Sequence, residues 1–259
     1  MIDSSSLRLY IDSPDAAIWR RCLAGRFFYG VTTNPKLLYQ AGIPNTVENL
    51  AGLAHTAFDL GAQEIHLQVW GGGASTTRLS SRKSGSPPPE PVEGGPAEEV
   101  EGRLAESAES MLAIGRQLAA IDPRVSVKVP ITEAGLLCAR QLIEEGAKVT
   151  LTAVHAAVQM LPVIALGAAY AAPYLGRMND AGLDGLDEIT AMQQMITHTG
   201  GSTRLLVASI RQLSDLTALA RNGCDTFTLL PGLVEELLNN PQTLKAAADF
   251  EEKATANLA

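Results

Sequence analysis

The chain has 259 residues, 46% of them hydrophobic and only 5% aromatic, and carries a formal net charge of −8. The length suits one large domain of β/α-barrel size. The acidic balance excludes a surface built to neutralise nucleic-acid phosphates, which needs clustered Lys and Arg. Cys22, Cys138 and Cys224 are scattered and form neither a disulfide framework nor a zinc pattern, so a reducing compartment is expected. The opening MIDSSSLRLYIDS has no basic region followed by an apolar run, and reads as no signal peptide. The nearest approach to a spanning segment, 151–170, is interrupted by His155, Gln159 and Pro162. A soluble, cytoplasmic protein is expected.

Short apolar runs alternate with helical patterns, the signature of βα units on a parallel sheet. The first run, Leu7–Ile11, ends in Asp12, and Ser13-Pro14 then predicts a helix with serine as N-cap and proline at its first position. The second lies near Phe27–Thr33 and is closed by Asn34-Pro35; the third is Glu64–Trp70. Residues 71–97, rich in Gly, Ser and Pro, lack the apolar content to offset the entropy of ordering. They are expected to be a flexible insertion in the loop after strand three, either a tolerated surface loop or a lid. The remaining runs are Val125–Val129, Lys148–Thr152, Ala168–Pro173, Arg204–Ala208 and Thr226–Leu230. An amphipathic C-terminal helix is expected over 241–257. Eight such units predict an α/β fold, a single-domain (β/α)8 TIM barrel over 1–259. The alternative is an open doubly wound sheet, but no G-x-G-x-x-G follows the first strand.

The sharpest chemical feature is VSVKVPIT, 125–132, with Lys128 in the middle of a strand patterned for burial. A free lysine amine is almost wholly protonated at neutral pH, and burial disfavours that charged form. A neutral amine attacks a ketone to give an imine. Two readings stand: a nucleophile, or a lysine that snorkels to the strand end or pairs with a carboxylate. Asp12 either caps the following helix or places a proton-transferring carboxylate at the barrel mouth. Thr32 and Asn34 either serve turn chemistry or hydrogen-bond substrate and Lys128. His55, His66, His155 and His198 are dispersed, so neither a metal nor another cofactor is expected.

GVTTNP (30–35), SVKVPIT (126–132), LTAV (151–154), APYLGR (172–177) and ASIR (208–211) occur in this order near the ends of strands two, four, five, six and seven. Together they resemble the transaldolase family, in particular its small members and the fructose-6-phosphate aldolases. The resemblance covers nearly the whole chain except 71–97. It implies Lys128 as Schiff-base lysine, Asp12 as acid/base, Thr32 and Asn34 as contacts to substrate hydroxyls, and Thr152 as the residue placing the catalytic water. It implies Arg177, Ser209 and Arg211 as the phosphate grip, which suits a fork of guanidinium donors; the other reading of the two arginines is a surface ion pair. Gln68 and Tyr174 stand where transaldolases generally carry glutamate and phenylalanine, and match the pair of the fructose-6-phosphate aldolases. The resemblance therefore implies an aldolase that cleaves fructose 6-phosphate or a similar ketose phosphate to dihydroxyacetone and an aldose phosphate. The runner-up is a transaldolase moving that unit between sugar phosphates, and the rival from another class is a catalytically idle barrel used for binding. A homo-oligomer, a ring of five or a double ring of ten, is also implied; no nucleic-acid or membrane partner is.

Overall fold

The computed structural model describes residues 7–71 and 97–256. Eight parallel strands are present: β1 (Arg8–Asp12), β2 (Gly30–Thr32), β3 (Glu64–Gln68), β4 (Val125–Pro130), β5 (Lys148–Val154), β6 (Tyr170–Pro173), β7 (Arg204–Val207) and β8 (Thr226–Leu229). They pair in chain order and β8 returns to β1, closing the expected barrel. Between them lie α1 (Ala16–Ala24), α2 (Pro35–Gln40), α3 (Val47–Asp59), α4 (Ala97–Ala119), α5 (Glu133–Glu144), α6 (Met160–Leu166), α7 (Leu175–Asp180), α8 (Gly185–Thr199) and α9 (Leu213–Arg221). Two further helices, α10 (Pro231–Leu238) and α11 (Pro241–Ala256), follow β8. The Gly/Ser/Pro-rich insertion lies outside the described residues, except for its first and last positions.

The strands read as apolar runs because one side of each is sealed by helices. Ile11, Val31, Ile65, Leu67, Val127, Val129, Val149, Leu151, Val207 and Leu229 belong to one core with helix residues such as Trp19, Leu50, Leu118, Leu142 and Ile189. Each is fully buried, and each such side chain contributes about 1.5–3 kcal/mol. The alternate residues point into the lumen, where polar side chains lie beside a small cluster of Tyr10, Tyr170, Ala172 and Leu206. Tyr10 on β1 bonds Glu64 on β3, and His66 on β3 bonds Thr150 on β5. These strands are not neighbours in the sheet, so the bonds cross the interior.

Two local expectations are corrected. The cap of α1 is Asp15, whose carboxylate accepts from the Ala17 amide at 2.8 Å. Ser13 is occupied otherwise: its hydroxyl accepts from the Asp15 amide at 3.1 Å and its carbonyl from the Trp19 indole at 2.8 Å. Strand β5 continues past Thr152 to Val154, through an irregularity in its pairing with β6 at which Ala153 takes φ 61°. A left-handed non-glycine residue costs on the order of 1–3 kcal/mol, and such strain gathers at functional sites. Helix α11 has no buried residue and leaves Leu244 and Phe250 exposed. Among the described residues no helix is long and apolar enough to cross a membrane, and no group of three or more His, Cys, Asp or Glu could hold a metal ion.

Candidate active site

Lys128 lies in the middle of β4 with its side chain in the lumen, 4% exposed. Its Nζ donates to the Thr33 carbonyl at 3.2 Å. The amine is therefore neither snorkelled to solvent nor hydrogen-bonded to a carboxylate among the described residues. A carbonyl accepts from an amine or an ammonium alike, and so orients the nitrogen without fixing its charge.

Asp12 ends β1 and does not cap α1. Its Oδ1 accepts from the Thr32 hydroxyl at 2.7 Å. Thr32 is 2.6 Å from the Thr228 hydroxyl; having given its proton to Asp12, it accepts from Thr228. Burial pushes the Asp12 carboxyl above its ordinary range, while the nearby Lys128 charge and the Thr32 hydrogen bond pull it down.

Across the lumen, Thr152 is buried and its hydroxyl is 2.9 Å from the Tyr174 phenol. Tyr174 stands just after β6, bridged in parallel to Ala208 after β7. Its ring meets the His155 imidazole edge-on at 5.4 Å, and His155 Nδ1 bonds the carbonyl of the strained Ala153. The irregular end of β5 thus places Thr152 and His155 together on Tyr174.

Ser209, after β7, is a second strained non-glycine residue, with φ 58°. Its carbonyl accepts from the Gly176 amide at 2.9 Å, tying the loop to α7. A Cβ at Gly176 would come within 2.7 Å of the Arg211 Nε, so glycine there lets the guanidinium lie across the start of α7. Arg211 grips Asp180 with two bonds of 2.7 and 2.5 Å, and Arg177 Nη1 is 3.7 Å from the same carboxylate. The Arg211 hydrogen bonds and charge, with a smaller contribution from Arg177, hold Asp180 below the usual carboxylate range. The two arginines thus converge on the Asp180 carboxylate.

Gln68 is the cross-strand register partner of Lys128, and so stands level with it on the same face. Asn34 serves the turn, one of its two expected readings: its Oδ1 accepts from the Leu37 amide at 3.1 Å as the N-cap of α2. The contact to Lys128 comes instead from the carbonyl of Thr33. Sequence reasoning missed Thr228, Asp180 and His155. It also missed the lumen set Glu64, His66, Ser126 and Thr150, although polar residues at alternate positions 64, 66 and 68 of one strand were a legible sign of a polar inner face.

A buried lysine and a carboxylate thus share the lumen of a closed β/α barrel. The family described as Transaldolase/Fructose-6-phosphate aldolase matches residues 9–259, and the chain belongs to that family. It is 29% identical to a probable transaldolase of Phenylobacterium zucineum over 244 residues, 94% of each chain. It is 32% identical to a probable transaldolase of Rhodospirillum centenum over 245 residues, 94% of this chain and 89% of that one. To a probable transaldolase of a Ruegeria species it is 36% identical over 140 residues, 54% of this chain and 64% of the relative.

Proposed function

We propose that the protein makes and breaks a carbon–carbon bond of a ketose phosphate, such as fructose 6-phosphate, through an imine on Lys128. The observation that carries this reading is the Lys128 amine, enclosed in the lumen, oriented by the Thr33 carbonyl and facing Asp12. The neutral amine adds to the C2 ketone, water leaves, and the resulting imine takes up a proton from solvent to give an iminium. The C4 hydroxyl then passes its proton to Asp12, and the aldose phosphate departs as an aldehyde. The electrons of the C3–C4 bond flow to the iminium and leave an enamine. Arg177, Arg211 and the Ser209 turn receive the phosphate, a dianion that outcompetes the single carboxylate of Asp180 for the two guanidinium groups.

The fate of the enamine separates two reactions. Protonation at C3 and hydrolysis release free dihydroxyacetone, the aldolase outcome, and the geometry favours it. The Tyr174 phenol, hydrogen-bonded to Thr152, is a proton donor that a phenylalanine could not supply. The second reading, transfer of the three-carbon unit to an acceptor aldose phosphate, is favoured by the relatives, which carry the name probable transaldolase. Mixing free dihydroxyacetone with glyceraldehyde 3-phosphate decides between them. Ketose formation supports aldolase; formation only when a sugar-phosphate donor is present supports transfer. On the aldolase reading, Tyr174→Phe slows release of dihydroxyacetone by about 10²-fold, the lower range for loss of a general acid, and raises the share of transfer. An unaltered ratio of the two products removes the phenol from the mechanism.

Asp12 must be ionised to accept the C4 proton, so its titration sets an acid limb in the pH profile of kcat/KM. Hydrogen bonding favours the charged carboxylate, so removing it in Thr32→Val raises the Asp12 pKa further and moves that limb to higher pH. A limb that stays put, or moves to lower pH, contradicts the role of Asp12. The uncovered apolar face of α11 supports the homo-oligomer that the resemblance implies, which the mass of the protein in solution checks.

A further inference from the structure

Beneath Lys128 the lumen holds ionisable groups that the mechanism above does not use. Glu64 and His66 are both wholly buried. The Oε2 of Glu64 accepts from Lys148 Nζ at 2.5 Å; its Oε1 accepts from the Tyr10 hydroxyl at 2.8 Å and lies 2.9 Å from His66 Nε2. Against its burial, the His66 hydrogen bond and the charge and hydrogen bond of Lys148 hold Glu64 far below the usual carboxylate range, so it is an anion that only accepts. His66 Nε2 therefore carries a hydrogen. Burial holds this imidazole below its ordinary range against the pull of Glu64, so the ring is neutral and Nδ1 is a bare acceptor. The Thr150 hydroxyl, 2.8 Å from Nδ1, must donate to it. Thr150 in turn accepts from Ser126, also at 2.8 Å.

The polarity of the chain is thus set from its far end. Thr150 is the register partner of Lys128, His66 that of Ser126 one layer lower, and Glu64 lies lower still. The O–H and N–H dipoles from Ser126 through Thr150 and His66 aim their positive ends toward Glu64, and the Thr150 oxygen stands in the row of Lys128. The assembly has a dedicated space. Gly30 lies between Tyr10 and Glu64 in register, and a Cβ there would be 2.1 Å from the Glu64 carbonyl and 3.1 Å from the Tyr10 ring. The His66 ring is held edge-on between Tyr10 and Tyr170, at 5.1 and 4.9 Å. Barrels are ordinarily filled here by branched apolar side chains, and buried ions bring a desolvation cost that rarely favours stability.

We propose that the column Thr150–His66–Glu64, fed by Ser126, is a positioning element that stabilises the cation formed on Lys128 when its amine condenses with a ketone. The inference rests on the Schiff-base reading. Asp12, the carboxylate that faces Lys128 directly, loses its charge when it takes the C4 proton. Glu64 does not titrate in the working range and cannot be reached by substrate, so its field persists through the whole cycle. The groups around the column are Arg8 and Tyr10 from β1, Lys128 from β4, Lys148 from β5 and Tyr170 from β6. Lys148 bonds Glu64 at the end of the column away from Lys128 and leaves the direction of the dipoles unchanged.

Borohydride trapping of the full-length protein at a fixed, subsaturating concentration of dihydroxyacetone tests this, with thermal unfolding midpoints measured beside it. His66→Phe keeps a ring between the two tyrosines and cuts both imidazole bonds. It is expected to lower the trapped fraction about tenfold, a smaller effect than loss of a donor that touches the reacting atoms. His66→Gln, which can both donate and accept, is expected to recover part of that loss. Thr150→Val, close in shape to threonine, gives a second readout should His66→Phe not fold. Wild-type trapping in a folded His66→Phe or Thr150→Val protein, even with a lowered midpoint, reduces the column to a structural plug and overturns the proposal. Failure to trap the wild-type protein at all overturns the Schiff-base reading itself, and this inference with it.

Discussion

Lys128→Met is expected to lower kcat/KM for a ketose phosphate by at least about 10⁴-fold, because removing a covalent nucleophile leaves only orientation and electrostatics to act. Methionine is close to lysine in length, has no amine, and suits a side chain that is 4% exposed, so the fold should survive the change. The Thr33 carbonyl loses its donor, a modest cost of about 1 kcal/mol. The variant should therefore be folded and inert. Steady-state kinetics with either a donor–acceptor pair or the aldol substrates checks it, and turnover within about tenfold of wild type would remove Lys128 from the chemistry.

Glu64→Leu is expected to carry the largest stability cost of any single change in the lumen, about 3–5 kcal/mol, the usual loss when one partner of a buried ionic set is removed. It leaves Lys148, Tyr10 and His66 without their common acceptor. Lys148 is partly exposed and can turn to solvent, whereas Tyr10 and His66 cannot. The Glu64 pKa is depressed in the folded state, so its contribution is fully present above the unfolded value of about 4.3 and is lost as the pH falls through the folded value. The difference between wild type and Glu64→Leu should be greatest at neutral pH and shrink below about pH 4. Urea unfolding at fixed protein concentration, read as a change in midpoint at constant slope, measures it. A loss below about 1 kcal/mol at neutral pH would show that the lumen relaxes around the missing carboxylate.

The barrel was legible because its two periodicities are loud. Apolar runs such as Glu64–Trp70 and Val125–Val129 recur between helical stretches, and each lands on a strand within three residues of its expected ends. Lys128 and Asp12 were legible as single polar intrusions at or beside such runs. The contents of the lumen were not, because they depend on which strands face each other across the closed barrel. His66 in isolation is one polar residue in EIHLQ; its partners Thr150 and Glu64 lie 84 and 2 positions away. The alternation at 64, 66 and 68 shows which face is polar, but only closure of β8 on β1 brings β3, β5 and β6 to one axis. Local chemistry misled at Ser13, where proline after serine suggested a cap that Asp15 provides. At Asn34 the turn and the site compete for one side chain, and the helix cap takes its oxygen. Asp180 was overlooked because an aspartate near the end of a short helix is ordinary in sequence. Its meaning comes from Arg211, 31 positions away, arriving from the next strand's loop.

Covalent capture of the reacting nitrogen tests the account most directly. The protein is incubated with dihydroxyacetone, reduced with borohydride, digested, and the modified peptide sequenced by mass. The account predicts a reduced three-carbon adduct on the lysine of the VSVKVPIT segment, absent from the Lys128→Met protein. An adduct confined to another amine, such as Lys148 at the far end of the lumen or Lys36 on α2, would contradict it, as would substrate turnover with no adduct formed.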